Sequence, residues 1–109
     1  MPAAAPALDS VFQALANATR RAIVERLRQG PTTVSELARP FKMALPSFMQ
    51  HLDVLEASGL IETHKQGRVR TVRSRAASLK CAHQWLAAQH AVWEDRLDRL
   101  DAHLKSIEK

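Results

Sequence analysis

The chain has 109 residues, which is enough for one domain. Hydrophobic residues make up 46% of it, and no apolar run approaches the roughly 20 residues of a membrane-spanning helix, which excludes a membrane protein. Sixteen Lys and Arg against eleven Asp and Glu give a net charge of +5, which favours an anionic partner such as nucleic acid.

Two features indicate a cytoplasmic protein. The single cysteine, Cys81, cannot form a disulfide within the chain, which is compatible with a reducing compartment. Residues 1–7, MPAAAPA, have neither the positively charged region nor the apolar run of a signal peptide. We expect these residues to form a disordered leader that precedes the folded part of the chain.

The first third of the chain has the pattern of three short helices. Apolar residues recur at helical spacing across residues 8–16, which predicts the first helix. Thr19 is a plausible N-cap for a second helix over residues 20–28, which ends at a Gly-Pro pair. A short third helix is expected around residues 34–39, and a proline stops it.

The next segment combines a helix with a β-hairpin. A fourth helix opens at Pro46, a residue that the first helical turn tolerates, and ends near residue 58 before a glycine. Strands are expected over residues 60–64 and 68–74, joined by Lys65-Gln66-Gly67, where the glycine supplies the positive φ of a tight turn. The third and fourth helices form a helix-turn-helix, and the hairpin adds a wing.

Basic side chains are concentrated in and just after this hairpin. Residues 63–80 contain six Lys and Arg and no acid, whereas the rest of the chain has ten basic and eleven acidic side chains. A helix followed by a cationic ribbon can place one element in a DNA groove and hold the phosphate backbone beside it. The sequence therefore predicts a DNA-binding protein whose partner is double-stranded DNA.

The DNA contacts are expected in the fourth helix and in the hairpin. Gln can bond adenine, Ser is permissive, and Met49 can either touch a thymine methyl group or pack partly buried against the protein. An arginine near a wing tip can enter a narrow minor groove. Arg20, Arg21 and Arg39 can add phosphate contacts, but each taken alone is expected to be solvated or paired locally. The candidates are Ser47, Met49, Gln50 and His51 in the helix, Lys65, Arg68, Arg70 and Arg73 in the hairpin, and Lys42 before the helix.

Residues 76–109 contain neither Gly nor Pro and predict one long helix. Such a helix of about 30 residues would reach roughly 45 Å, more than the width of so small a domain. Its apolar residues recur at spacings of three and four, so part of the stripe needs a second copy of the chain to cover it. The expected dimer interface comprises Leu86, Trp93, Leu97, Leu100, Leu104 and Val11.

The predicted organisation is thus a winged helix-turn-helix core over residues 8–75 and a dimerisation helix over residues 76–109 of the same domain. The fold class is mainly α with a small β-hairpin. An enzyme is not expected, because the chain has no Gly-rich phosphate loop and no nucleophile motif such as G-x-S-x-G.

The runs LANATRRAIVERLRQGPTTVSELA and MALPSFMQHLDVLEASGLIETHKQGRVRTV resemble the ArsR-type (ArsR/SmtB) bacterial repressors over roughly residues 8–72. The pieces TRRAI, SELA, HLDVLEASGLI and GRVR are specific in combination. The resemblance implies a homodimer that sits on a palindromic operator and blocks transcription until a signal releases it. The sequence departs from the family pattern before the fourth helix, where Ala44 replaces a common Ser and Leu45 replaces a common polar residue.

The resemblance also raises the question of whether the chain has a metal site. Metal-sensing members use a Cys-x-Cys-type cluster on the third helix, which here has no Cys or His, or a cluster of Asp, His and Glu on the last helix. Zinc would accept Cys81, His83, His90 and Glu94. However, Cys81 stands where Asp is expected, and a His-x-x-Glu pair is not reproduced from His90. We therefore expect no metal and no cofactor, as in a subgroup without the usual metal-site motifs.

Two alternatives to a plain homodimeric autorepressor stay open. The first is a metal- or thiol-responsive repressor that senses through the last helix. The second is a winged helix used as a protein-interaction module. The sequence does not identify an inducer.

Overall fold

The structure is a computed structural model that describes residues 8–107, and the predicted leader at residues 1–7 lies outside the described residues. The elements are α1 (Leu8–Leu15), α2 (Ala18–Arg26), a 3₁₀ turn (Leu27–Gln29), β1 (Thr32–Thr33), α3 (Val34–Ala38), α4 (Leu45–Ala57), β2 (Ile61–Gln66), β3 (Val69–Ser74) and α5 (Ala76–Ile107). This order confirms the predicted fold class, a winged helix-turn-helix followed by one long helix.

The start of α2 differs from the prediction. Asn17 is the N-cap, because its backbone is extended (φ −142°, ψ 129°) and its side-chain oxygen accepts a hydrogen bond of 3.1 Å from the Arg20 backbone N–H. Asn is a strong N-cap residue, so the helix begins at Ala18 and the predicted cap, Thr19, lies inside it. Thr33 caps α3 in the same way, accepting from the Glu36 N–H at 3.2 Å.

The hairpin belongs to a three-stranded antiparallel sheet with the strand order β1-β3-β2. The sequence did not predict β1, whose two residues pair with Val72 and Thr71 and are too few to show an alternating pattern. The ladder between β2 and β3 runs from Ile61↔Ser74 to Gln66↔Val69, so the turn lies at Gly67 and Arg68. Gly67 has the positive φ that the prediction assigned to it, +65°.

One hydrophobic core joins all five helices to the inner face of the sheet. Its fully buried apolar residues are Val11, Ala14, Ile23, Leu27, Leu37, Phe48, Leu52, Leu55, Leu60, Ile61, Val72 and Ala82. The rings of Phe41 and Phe48 pack at a centroid distance of 5.3 Å and connect the segment before α4 to this core. The core therefore fixes α4 against α1, α2 and the sheet.

A tight joint connects the end of α4 to the start of α5. Gly59 adopts φ +83°, and a methyl group added there would collide with Ser78 Oγ. That hydroxyl donates a hydrogen bond of 3.0 Å to the Ser58 carbonyl. Since Ser58 and Ser78 are both buried, the first turn of α5 is held against the last turn of α4.

Beyond this joint α5 leaves the core. Every residue from His83 to Ile107 is exposed, although Trp85 still touches Phe12 of α1 with ring centroids 5.9 Å apart. Ion pairs one helical turn apart, Asp95–Arg99 at 3.0 Å and Asp101–Lys105 at 3.2 Å, stabilise the helix locally. Over residues 8–107, none of the helices has the length and apolar character needed to cross a membrane.

Candidate nucleic-acid interface

Helix α4 presents one long side to solvent. Phe48, Leu52 and Leu55 are buried, which leaves the opposite side exposed, with Gln50 and Asp53 on it. Among the described residues no side chain caps the start of the helix, because Ala44 stands at the N-cap position. Pro46 in the first turn has no N–H, so the backbone N–H groups of Leu45 and Ser47 are the ones that an anion such as phosphate could meet there.

The four predicted contact residues of α4 divide into two groups. Ser47 and Gln50 are exposed, so their polar groups are accessible to DNA. Met49 and His51 are half-buried on opposite flanks of the helix. Met49 lines a cleft below the wing, where its side chain is partly packed against the protein. His51 contacts Arg20 of α2.

The register of the wing decides which of its cations face α4. Directly opposed residues of an antiparallel ladder share one face of the sheet. The pair Thr63↔Val72 lies on the inner face, because Val72 is buried, and the alternation places Lys65↔Arg70 on that same face. Glu56 of α4 ties this face to the helix, since its carboxylate accepts from Thr63 N at 3.2 Å and from Thr63 Oγ1 at 2.8 Å.

A cleft of about 300 Å³ separates the wing from the helix-turn-helix. Its lining is formed by Thr33, Val34, Ser35, Met49, Arg68, Val69 and Arg70. The Nε of Arg70 is buried there and has no hydrogen-bond partner among the described residues. The Arg70 guanidinium therefore lies beside α4 with its Nε unpaired among the described residues.

Arg73 is placed away from this cleft. It opposes Glu62 on the outer face of the sheet and forms an ion pair with it, and Arg75 Nε lies 3.7 Å from the same carboxylate. Arg73 and Arg70 are three residues apart, so strand alternation turns them to opposite faces. The positive charge of the wing that faces α4 is thus carried by Lys65, Arg68 and Arg70.

The three arginines expected to be paired locally or solvated do have local partners. Arg21 Nη1 donates to the Leu15 carbonyl at 2.8 Å, and Arg39 pairs with Glu36 at 3.3 Å. Arg20 donates to two carbonyls at the end of α1. Lys42 lies exposed between α3 and α4, and no ion pair to it occurs within residues 8–107. Lys42 therefore adds to the uncompensated positive charge near the start of α4.

Within residues 8–107, nothing covers the apolar stripe on α5. Trp93 is 61% exposed and Leu97 58% exposed, although both side chains are large and apolar. The same stripe continues through Leu86, Leu100 and Leu104. Val11 differs from these residues, because it is fully buried in the core of the single chain. It therefore has no surface to offer a second copy, and its place in the predicted dimer interface is wrong.

The metal-site candidates on α5 do not converge. His90 Nε2 lies 2.9 Å from Glu94, which is an ordinary contact between neighbouring helical turns. Cys81 is half-buried near the core and His83 is exposed. Across residues 8–107, no group of three or more His, Cys, Asp or Glu has the arrangement that a metal ion requires.

This geometry defines a class of protein: a winged helix-turn-helix with an exposed recognition helix beside a cationic wing, as in DNA-binding regulators. The comparisons with known proteins agree. Residues 15–64 match the family described as a helix-turn-helix domain. The crystal structure of the ArsR family transcriptional regulator RHA00566 superposes with a TM-score of 0.77 at 57% identity, over 80% of this chain and 90% of that chain. The chain belongs to the ArsR family of transcriptional regulators, which are not enzymes.

Two further similarities concern shorter or more distant matches. The HTH-type transcriptional regulator Rv2034 of Mycobacterium tuberculosis is 53% identical over 49% of this chain, and the match spans half of that regulator's length. A homodimeric winged helix-turn-helix DNA-binding domain from Mycobacterium bovis superposes with a TM-score of 0.59 at 26% identity, over 84% of this chain and 82% of that chain.

Proposed function

We propose that this protein is a cytoplasmic, homodimeric repressor that binds a palindromic operator, including one upstream of its own gene. The observation that carries the proposal is the uncompensated charge of Lys65, Arg68 and Arg70 on the side of the wing that faces α4. Cations at this position meet the phosphates of a duplex whose major groove holds the recognition helix.

The proposed base readout lies on α4. Gln50 and Ser47 are exposed near the start of the helix, where a recognition helix enters the groove, and Gln can bond both edge atoms of adenine. Lys42 and the uncapped end of the helix add phosphate contacts beside them. In this arrangement α4 selects the sequence and the wing supplies most of the affinity.

The proposed dimer forms through α5. Its stripe from Leu86 to Leu104 is apolar and exposed, and an exposed apolar stripe of this length on a charged helix is typical of a helix–helix interface. The homodimeric domain from Mycobacterium bovis supports the assignment. A dimer of this kind places two copies of α4 on half-sites about one helical turn of DNA apart.

Selection of bound duplexes from a random pool, alongside the DNA upstream of the protein's own gene, tests the proposal. We expect a palindrome with half-sites about 10 base pairs apart, centre to centre, and a matching site in the upstream DNA. A protein that enriches no duplex would refute DNA binding and favour the interaction-module alternative. Repeating the binding assay with zinc or an oxidant tests the sensor alternative, which predicts a shift in operator affinity.

A further inference from the structure

Arg20 occupies an unusual position between three helices. Its Nε donates a hydrogen bond of 2.7 Å to the Ala14 carbonyl, and its Nη2 donates one of 2.9 Å to the Gln13 carbonyl. These carbonyls lie at the end of α1, where a positive charge is favourable, and the Gln13 carbonyl also accepts from the Ala16 backbone N–H at 3.2 Å. Two hydrogen bonds from one planar group fix the orientation of the guanidinium.

The third nitrogen of the same guanidinium, Nη1, contacts the recognition helix α4. Arg20 Nη1 lies 3.2 Å from Nδ1 of His51, which is on the flank of α4. A guanidinium only donates hydrogen bonds, so His51 Nδ1 must be the acceptor and carries no hydrogen. The neutral imidazole then has its hydrogen on Nε2, and that N–H is a donor not used by the contact with Arg20.

The location of His51 indicates what this donor meets. The centre of the exposed side of α4 carries Gln50 and Asp53, which face the base edges when the helix lies in a groove. His51 is half-buried beside that centre, so in a helix docked in this way it would lie on the flank toward one wall of the groove. The walls of a DNA groove are lined by phosphate oxygens, which only accept hydrogen bonds.

We propose that Arg20 is a positioning residue for DNA binding: it holds His51 in the tautomer that donates from Nε2 to a phosphate oxygen of the operator. The proposal rests on the proposed function and assigns to Arg20 a role beyond closing the end of α1. Arg20 also connects α4 to α5 indirectly. It donates hydrogen bonds to carbonyls of α1, and α1 packs on α5 through Phe12 and Trp85.

Two substitutions of His51 separate its two nitrogens. Asparagine places an oxygen near the position of Nδ1 and nothing at Nε2, so His51→Asn keeps the contact with Arg20 and loses the phosphate donor. Glutamine reaches the position of Nε2 with an amide N–H, so His51→Gln keeps the donor and loses the contact. We expect His51→Asn to weaken operator binding about tenfold and His51→Gln to stay within about threefold of the unmodified protein.

Arg20→Met tests the positioning role, because it keeps the apolar stem and removes the guanidinium. It should weaken operator binding by about three- to tenfold in the unmodified protein and by no further factor in the His51→Asn background. A purely structural Arg20 would instead lower the affinity by the same factor in both backgrounds. That outcome would overturn the proposal.

The tautomer is measurable without any substitution. Nitrogen-15 chemical shifts of the His51 ring should show an unprotonated Nδ1 and a protonated Nε2, and Arg20→Met should mix the two tautomers. A protonated Nδ1 in the unmodified protein would overturn the inference. Operators with single neutral methylphosphonate linkages should contain one linkage per half-site that weakens the unmodified protein and leaves His51→Asn unaffected.

Different results would refute the proposed DNA-binding function and the proposed role of Arg20 and His51. If no duplex is enriched from the random pool, the DNA-binding function itself fails. If an operator is found and Arg20→Met and His51→Asn both bind it as tightly as the unmodified protein, only the role of Arg20 and His51 is refuted.

Discussion

Replacement of the two wing arginines that face α4 tests the DNA-binding proposal most directly. In the double variant Arg68→Ala/Arg70→Ala, each copy of the chain loses two cations beside the cleft, and a dimer loses four. Each phosphate contact contributes about 0.9 to the slope of log affinity against log salt concentration, so the slope should fall by about 3.6. Between 50 and 200 mM salt, the unmodified protein should therefore lose about 150-fold more affinity than the variant.

The outer face of the same strand offers a matched control. Arg73→Ala/Arg75→Ala removes the same formal charge, but both arginines pair with Glu62 and face away from the recognition helix. Fluorescence anisotropy with a labelled operator at four salt concentrations gives the slope for each protein. Equal slopes for the two double variants would refute the assignment of the inner face as the DNA-binding face, because the effect would then follow net charge alone.

Three further predictions concern other parts of the chain. Gly59→Ala should destabilise the protein more than Gly67→Ala in urea denaturation: a positive φ costs about 1–2 kcal/mol at both positions, but only at Gly59 does the methyl group also collide with a neighbour. Leu97→Asp should give a monomer in sedimentation experiments with unchanged helical content, and a persisting dimer would contradict the α5 interface. Asp53→Asn should raise affinity for random-sequence DNA a few-fold, while Asp98→Asn on α5 should not; equal effects would contradict the placement of Asp53 on the DNA-facing side.

The order of the elements was predictable because local chemistry sets it. Gly and Pro end the second and third helices, and the apolar spacing of residues 46–58 identifies the recognition helix within one residue of its observed bounds. The sequence does not predict strand β1, because two residues are too few to show an alternating pattern. The predicted start of α2 differs from the observed one because Asn17 and Thr19 can both cap a helix. Asn17 is the stronger cap of the two, and its side chain accepts the hydrogen bond from the Arg20 backbone N–H at the start of the helix.

The candidate site was predicted less completely, and for different reasons. Strand alternation alone could have separated Arg73 from Arg70, but its pairing with Glu62 depends on the register of the ladder. Val11 belongs to an apolar helix stripe that fits a core or an interface equally well, and only the packed structure assigns it to the core. The contact between Arg20 and His51 joins residues 31 positions apart and has no local signal.

The arrangement of the helices also determines where regulation can act. Helix α4 has 13 residues and is about 20 Å long, so one copy would cover only one half-site of the proposed operator. In a dimer formed through α5, the distance between the two recognition helices is set by how the two copies of α5 cross. Within each copy, the packing of Phe12 on Trp85 and the contact of Arg20 with His51 connect α5 to α4 through α1 and α2. A signal that shifts α5 by a few ångströms would therefore misalign both half-sites without contacting the DNA-binding surface.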